Sequence, residues 1–393
     1  MVSNFLMNTY APSDLTFEKG EGSWLFTNNG DRYLDFASGI AVNSIGHCHP
    51  HLVSEIQKQS ARLIHTSNLY NISQQEKLAE RLCNHSFAES VFFANSGAEA
   101  NEGAVKVARR YMHENGRPER NVIICVDGCF HGRTLSMLSA TSKEENRIGF
   151  GPLPKGFRHV NFNDIDSLEK HFSSHDVAAI MIEPVQGEGG ARSISKEFFS
   201  KAQKLAKKYE CLVISDEVQT GMGRLGTLFG YETTDLKPDV MALAKGLGGG
   251  VPVGAVLATK RVSSAMKPGS HGSTFGGNPL VMASANAVLD VITEKDFLPN
   301  LSEKIDFLTI ELHKIKSEFP NFISEIRGQG FLRGIKLNHP VNEVQFELKK
   351  NKILFVAAAE NVLRILPPLT AKLDEIALAI SVLKNVAKKR FNK

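Results

Sequence analysis

Five short runs of this chain are apolar at nearly every position, and they limit its fold more than any other feature. They are VIICV (122–126), AAIMIEP (178–184), LVISDE (212–217), VMALAK (240–245) and VGAVLA (253–258). A strand with one wet face alternates apolar and polar residues. These runs do not alternate, so both of their faces must be dry. That is the signature of strands in a parallel sheet covered on both sides. The stretches EANEGAVKVARRYM (99–112) and KEFFSKAQKLAKKY (196–209) lie between them and carry helical spacing. Strand and helix in alternation predict an α/β fold with a mainly parallel sheet.

The two ends of the chain differ from this middle. The first fifty residues are rich in turns, with short strand-like pieces at SWLFT and RYLDFAS. Pro50 then opens a predicted helix over HLVSEIQKQSARLIH, with Leu52, Val53, Ile56 and Leu63 at helical spacing. Beyond about Pro279 come a long helical stretch, the strand-like GFLRGIKL, ILFVAA and NVLRILPP, and a closing helix DEIALAISVLKNVAKKR. The expected division is 1–52 as the first part of a small α+β domain, 53–280 as a large ligand-binding domain, and 281–393 as the rest of the small domain. No repeat, low-complexity tract or long linker separates them. The domains are therefore expected to pack tightly, with a ligand at their interface.

Composition excludes several classes. Over 393 residues, 42% hydrophobic and 22% charged content rule out a mostly disordered chain. A net charge of +4 argues against a dedicated nucleic-acid or polybasic membrane binder, although the KKRFNK end is basic. No apolar stretch approaches the length of a membrane span. MVSNFLMNTYAPSD lacks the basic and apolar regions of a signal peptide. Five cysteines with no CxxC pair point to a reducing, cytoplasmic compartment.

Two motifs are decoys. GMGRLG (221–226) fits GxGxxG, but TLFGYETTDLKP follows with no helical period, so it reads as a backbone turn. GHCHPH (46–51) is dense in metal-type ligands, but Pro50 breaks the spacing and a turn into the next helix is favoured. No GxSxG, HExxH or GxxxxGK[ST] is present.

Four strand ends carry chemistry. Lys245 leaves the apolar VMALA and enters GLGGG. Desolvation there would lower its pKa and free the amine as a nucleophile toward a carbonyl carbon. The glycines would let the backbone lie close to a flat ligand; the alternative is a lysine that snorkels to solvent. Asp216 ends LVIS one strand earlier, where open α/β sheets bind ligands and where a fixed carboxylate can keep a ring nitrogen protonated. NSGAEANEGAVKVARR is a turn opening a helix, so Ser96, Gly97 and Ala98 would offer N–H groups to a phosphate. The plainer reading is a Ser N-cap with Glu99 in a capping box. In DGCFHGRT, Phe130 could stack on a flat ring and Arg133 could fork onto a carboxylate.

SGAEAN, FHGRT, EPVQGEGG, SDEVQTGMGR, LAKGLGGG and HGSTFGGNP occur in this order along the chain. Together they resemble the class III (subgroup II, ω-type) aminotransferases that use pyridoxal 5'-phosphate, over essentially the whole length. DFASGIAVNSIGHCHP, HTSNLYN and NVLRILPPL look like the members of arginine biosynthesis that act on N-acetylornithine. The resemblance implies fold type I, with a mainly parallel seven-stranded sheet and a small domain built from both chain ends. It also implies a homodimer with active sites at the interface, and no nucleic-acid or membrane partner.

By the same resemblance, Lys245 matches the lysine that holds the cofactor and carries the proton. Asp216 matches the partner of the pyridine nitrogen. Glu217, Val218 and Gln219 are assigned to the cofactor, with Val218 and Gln219 by the ring face and its phenolic oxygen. Gly97 and Ala98 match the phosphate turn and Phe130 the stacking aromatic. Thr274 would reach the partner subunit's phosphate, with Ser273 beside it near the substrate. Arg133 matches the clamp on the distal carboxylate, and Arg364 the arginine that takes the α-carboxylate of glutamate. Glu188 matches the acid that covers Arg364 while an ω-amine is bound, and Glu183 a supporting acid near the ring. Leu225, Arg333 and Lys336 depart from the family's usual residues and bear on fine specificity. The implied reaction moves the δ-amino group of N-acetyl-L-ornithine to 2-oxoglutarate, giving glutamate. Ornithine, succinylornithine, succinyldiaminopimelate or 4-aminobutyrate as donor are the alternatives within the class. A cofactor-binding protein without catalysis is the alternative outside it.

Overall fold

A computed structural model describes residues 5–391. Its largest sheet has seven strands, in the order Ser90–Ala94, Gly254–Ala258, Val240–Leu243, Leu212–Asp216, Val177–Ile182, Val122–Val126, Phe157–Val160. Gly254–Ala258 runs antiparallel to both neighbours, and the remaining pairs are parallel. The five runs singled out by composition are the five inner strands, buried along their whole length. The two edge strands are only partly buried.

Alternate residues of one strand serve different layers, which is why the inner strands must be apolar throughout. Ile123, Cys125 and Ile214 pack under the helix Gly97–Glu114 through Ala100, Ala104 and Ala108. Ile124, Val126 and Val213 pack on the opposite side under Phe198, Ala202 and Leu205. The helix that carries those three, Lys196–Lys208, is set by its ends. Ser195 accepts from the Phe198 N–H at 3.1 Å, and Glu210, just past the C-terminus, takes a left-handed φ of 52°. Its buried stripe stabilises the fold by about 1.5–3 kcal/mol for each large apolar side chain. Ala202→Asp would place an unpaired charge in that stripe and break it.

The small layer joins both chain ends. Phe17–Glu21, Trp24–Thr27 and Arg32–Asp35 form an antiparallel ribbon, and Ile353–Leu354 adds to it in parallel beside Arg32–Asp35. A second antiparallel sheet runs Ile323–Gln329, Leu332–Leu337, Val362–Ile365, Val356–Ala358. One apolar cluster runs from Met241 and Leu243 of the large sheet to Ile335, Leu363 and Ile376 of the small layer, so the layers pack tightly as expected.

The helix opened by Pro50 ends at Ser60, short of the expected span, and Leu63 beyond it is 48% exposed. Only Leu52 of its four apolar positions is fully buried. The expected domain boundaries fall inside Pro50–Ser60 and at the start of Pro279–Ile292, two helices that pack on each other. Among the described residues no helix is long and apolar enough to cross a membrane.

Candidate active site

A cavity of about 460 Å³ opens beyond the carboxyl ends of the parallel strands. Lys245, Asp216, Phe130, Val218, Gln219, Gly97, Ala98, Arg133 and Glu188 all line it. They come from separate loops, brought together because each follows a strand or opens a helix of the same sheet.

Lys245 begins a 3₁₀ turn just past Val240–Leu243 and takes a left-handed φ of 36°. Such a conformation costs a non-glycine residue on the order of 1 kcal/mol or more, and it persists where surrounding structure demands it. Burial lowers the pKa of its ammonium, and the charge of Arg364 lowers it further. The carboxylates of Glu188, Asp216 and Glu183 pull the other way. The loop GLGGG serves this turn more than any ligand. Gly249 has φ 61° and a side chain there would strike Val288 and Leu52, while only Gly250 of the loop's glycines lines the cavity. The expected role of the glycines as a floor for a flat ligand is corrected in that respect.

Asp216 is 2% exposed and fully engaged. Its Oδ2 accepts from Asn101 Nδ2 at 2.7 Å and faces His131 Nδ1 at 2.6 Å, while its Oδ1 accepts from the Val218 N–H at 3.0 Å. Burial opposes a charge on His131, but the carboxylate of Asp216 raises its pKa well above the usual value. The adjacent Cys129 thiol is pushed up to about 11 by burial, so it stays neutral. Glu183 is 7% exposed and accepts from the Phe130 N–H at 2.9 Å. Burial raises its pKa to about 8. The site thus holds, beside Asp216, a second buried carboxyl that burial biases toward the neutral form, a perturbation typical of functional clefts.

Opposite this acid, the helix Gly97–Glu114 points its N-terminus into the cavity. Ser96 caps it by accepting from the Glu99 N–H at 3.2 Å. Glu99 reaches back to the Asn95 N–H at 2.7 Å, one residue earlier than in a strict capping box. Gly97 is required, because a Cβ there would lie 2.6 Å from Val218 Cγ1.

Behind Glu188, Arg364 comes from the small layer, on strand Val362–Ile365; it is 1% exposed and does not itself line the cavity. Its Nη2 donates to Glu188 Oε1 at 2.7 Å and its Nη1 to Gln219 Oε1 at 3.3 Å. Its Nε and the Nε2 of Gln219 are buried without a partner. Arg133 is exposed and lies 5.5 Å over the Phe130 ring.

Three further expected site residues lie outside the cavity. Glu217 follows Asp216 and faces the other side. Its carboxylate accepts from the Gly230 and Tyr231 N–H groups, away from the cavity. Successive strand residues alternate in direction, so this placement was readable from the sequence. Ser273 accepts from Asn95 Nδ2 at 3.1 Å without lining the cavity, and Thr274 is exposed outside it. Asn101, Asn95, Val42 and His131 line the cavity without having been assigned a role there. Asn101 could have been found as one helical turn after Gly97, on the same face. The GMGRLG motif forms a turn, with positive φ at Met222, Gly223 and Gly226. In GHCHPH, His47 pairs with Asp35 and His51 with Asp290, each at 2.8 Å.

A low-pKa amine, a buried acid and an anion-ready helix end around one cavity define an enzyme of amine–carbonyl chemistry on a doubly covered α/β sheet. The chain belongs to the class III aminotransferases: residues 6–387 match the family's model, described as aminotransferase class-III. It is 49% identical over 370 residues to the acetylornithine aminotransferase of Agrobacterium fabrum, covering 94% of this chain and 92% of that one. It is 44% identical over 380 residues to the acetylornithine aminotransferase of Bacillus subtilis, with 96% of each covered. Among solved structures it resembles the N-acetylornithine aminotransferase of Stenotrophomonas maltophilia, with 35% identity, TM-score 0.84 and 96% of each chain covered. An ornithine aminotransferase structure from Toxoplasma gondii, with PLP at partial occupancy in its active site, matches at 32% identity and TM-score 0.90, over 97% of this chain and 92% of that one.

Proposed function

We propose that this chain transfers the δ-amino group of N2-acetyl-L-ornithine to 2-oxoglutarate, giving N-acetyl-L-glutamate 5-semialdehyde and L-glutamate, with pyridoxal 5'-phosphate as cofactor. The observation that carries the reading is the Arg364–Glu188 pair at 2.7 Å, whose Glu188 lines the same cavity as Lys245 and Asp216. The donor set fits the cofactor. Asp216 is a buried carboxylate already oriented by Asn101, His131 and Val218. Gly97 and Ala98 offer the N-terminus of an eighteen-residue helix to a phosphate. Phe130 and Val218 supply apolar surface for the ring faces, and Gln219 lines the same cavity with its Nε2 unpaired.

When bound, the cofactor supplies an electrophilic carbon and an electron sink. This chain's residues do the rest. Lys245 Nζ, with its lowered pKa, would hold the cofactor and, once freed by the incoming substrate amine, would take a proton from the substrate carbon that bears that amine and later return one as a general acid. Asp216 would hold the proton on the ring nitrogen. Arg133 takes the substrate's distal carboxylate. Glu188 neutralises Arg364 while acetylornithine reacts and leaves it free for the α-carboxylate of glutamate. Without that cover, a buried cation would face an uncharged methylene, which is costly in a dry site.

The test is a panel of donors with 2-oxoglutarate, followed through the cofactor's absorbance. Turnover greatest with N-acetylornithine supports the reading. A preference for ornithine, succinylornithine, succinyldiaminopimelate or 4-aminobutyrate moves it within the family. A visible band that no donor shifts makes the chain an inert binder.

The proposed assembly is a homodimer. Thr274 and Ser273 would then act on the partner subunit's cofactor and substrate, which accounts for their position outside this chain's own cavity. Two inactive chains, Lys245→Ala and a Thr274 loop variant, should recover activity on mixing, through hybrid sites. No recovery despite verified subunit exchange removes the shared site. The division into 1–52, 53–280 and 281–393 and a cytoplasmic location belong to the same proposal. A sheet built from both chain ends supports the first, and five unpaired cysteines support the second.

A further inference from the structure

The pairing of Glu188 with Arg364 depends on where the main chain carrying Glu188 is held. Glu188 sits at the tip of a hairpin between Val185–Gln186 and Arg192–Ser193. Arg364 sits on another hairpin, where Val356–Ala358 pairs with Val362–Ile365 and Val356 lies opposite Arg364. The turn of that second hairpin, at Ala359, Glu360 and Asn361, touches the first. The Ala359 N–H donates to the Glu188 carbonyl at 3.1 Å. A Cβ on Gly190 would lie 3.0 Å from the Ala359 carbonyl oxygen, so the hairpins approach closely there.

Glu360 fastens this contact. Its Oε1 pairs with Arg192 Nη1 at 3.0 Å, at the foot of the Glu188 hairpin. Its Oε2 pairs with Arg327 Nη1 at 2.6 Å, on Ile323–Gln329, the far edge strand of the same small-layer sheet. Arg192 also donates to Gln186 Oε1 at 2.8 Å and to the Asp127 carbonyl at 2.7 Å, which ties both legs of the hairpin to the large layer. Glu360 and Asn361 hold left-handed φ values of 58° and 61°, a conformation that non-glycine residues keep only where it is imposed. None of Arg192, Arg327 or Glu360 lines the cavity.

We infer that Glu360, clasping Arg192 and Arg327, is a positioning residue that sets the register between the Glu188 hairpin and the Arg364 strand. It thereby tunes the choice between the ω-amine donor and glutamate. The clasp fixes the main chain at both hairpins, so Glu188 must leave Arg364 by side-chain rotation and return to the same place. Loosening it lets the hairpin drift, weakens the cover on Arg364, and shifts the balance toward α-carboxylate substrates. This inference rests on the switch role of Glu188 proposed above.

The test uses the holoenzyme and measures each half-reaction separately by rapid mixing. Glu360→Gln should lower the ratio of acetylornithine to glutamate reactivity by about two- to ten-fold, the range expected on losing partly exposed ion pairs. The cofactor's absorbance should not change. Arg192→Lys, which can reach fewer of the three acceptors, should shift the ratio the same way. In a Glu188→Gln background, Glu360→Gln should add nothing further, because the group it positions is gone. An equal loss in both half-reactions, or an unchanged Glu360→Gln effect in the Glu188→Gln background, overturns the inference. If Glu188→Gln itself slows both half-reactions equally, the switch reading fails instead.

Discussion

The two ends of the site, Asp216 in the cavity wall and Arg364 behind Glu188, are built on opposite plans. At the Asp216 end, the acid and its three hydrogen-bond partners all belong to the large sheet and its first covering helix. Each bond is made within the chain itself, and the acid is 2% exposed. At the Arg364 end, the cation comes from the small layer and its partner Glu188 from a hairpin tip of the large one. Glu188 keeps 39% of its side chain exposed, and Arg364 Nε and Gln219 Nε2 are left without partners. In the proposed cycle, a group that keeps one role throughout would be held by a rigid sheet, and a group that accepts two different substrates would be placed across a junction, with one bond it can exchange.

The comparison breaks most sharply at Lys245. Lys245→Ala should lower turnover by several orders of magnitude, on the order of 10³-fold or more, because attachment and proton carrier are lost together. Cofactor should still bind non-covalently through the Asp216 end. Near-normal turnover at saturating substrate would end the aminotransferase mechanism for this site. Asp216→Asn comes next. It keeps the shape but loses the charge, and both half-reactions should slow alike, on the order of 10²–10³-fold. A selective effect on one substrate would show that the Asp216 end is not the common, rigid one.

Glu188→Gln should instead be selective. Losing one charge-assisted pair at the Arg364 end should slow the acetylornithine stage about ten- to a hundred-fold more than the glutamate stage, roughly 1.5–3 kcal/mol. Equal slowing would make Glu188 structural and erase the contrast between the two ends. The smallest effect is on stability. The pKa of Glu183 is raised to about 8 in the folded protein, from an ordinary value near 4.5. The folded state therefore holds more protons than the unfolded chain between those values, and stability falls as pH rises through that window. In Glu183→Gln apoprotein that part of the decline should vanish, a difference of roughly 1–3 kcal/mol across the window in denaturant unfolding. Parallel curves for the two proteins would mean that Glu183 is ionised in the folded state at neutral pH.

Much of the large sheet could be read in advance, for a local reason. The five inner strands declare themselves because both of their faces are buried. The edges Ser90–Ala94 and Phe157–Val160 do not, since they are partly exposed and carry residues such as Arg158 and His159. The antiparallel sense of Gly254–Ala258 left no mark either, because burial makes a strand apolar whichever way it runs. Among site residues, Asp216 and Lys245 could be placed from their positions at the ends of apolar runs. Glu217 was assigned to the wrong face, though strand alternation already separated it from Asp216.

What the sequence determined by itself is therefore what depends on near neighbours. This covers the periods of strand and helix, the caps, the turn that needs Gly97, and the family whose motifs occur in order. The tertiary structure alone decided which of these pieces meet. Asp216 lies 85 residues from His131 and 115 from Asn101. Arg364 lies 145 residues from Gln219 and 176 from Glu188. No periodicity extends over such separations. Those contacts exist because the closed sheet and the two chain ends packed on it bring distant residues together: buried apolar surface holds the layers in place, and the polar groups between them are paired across that packing.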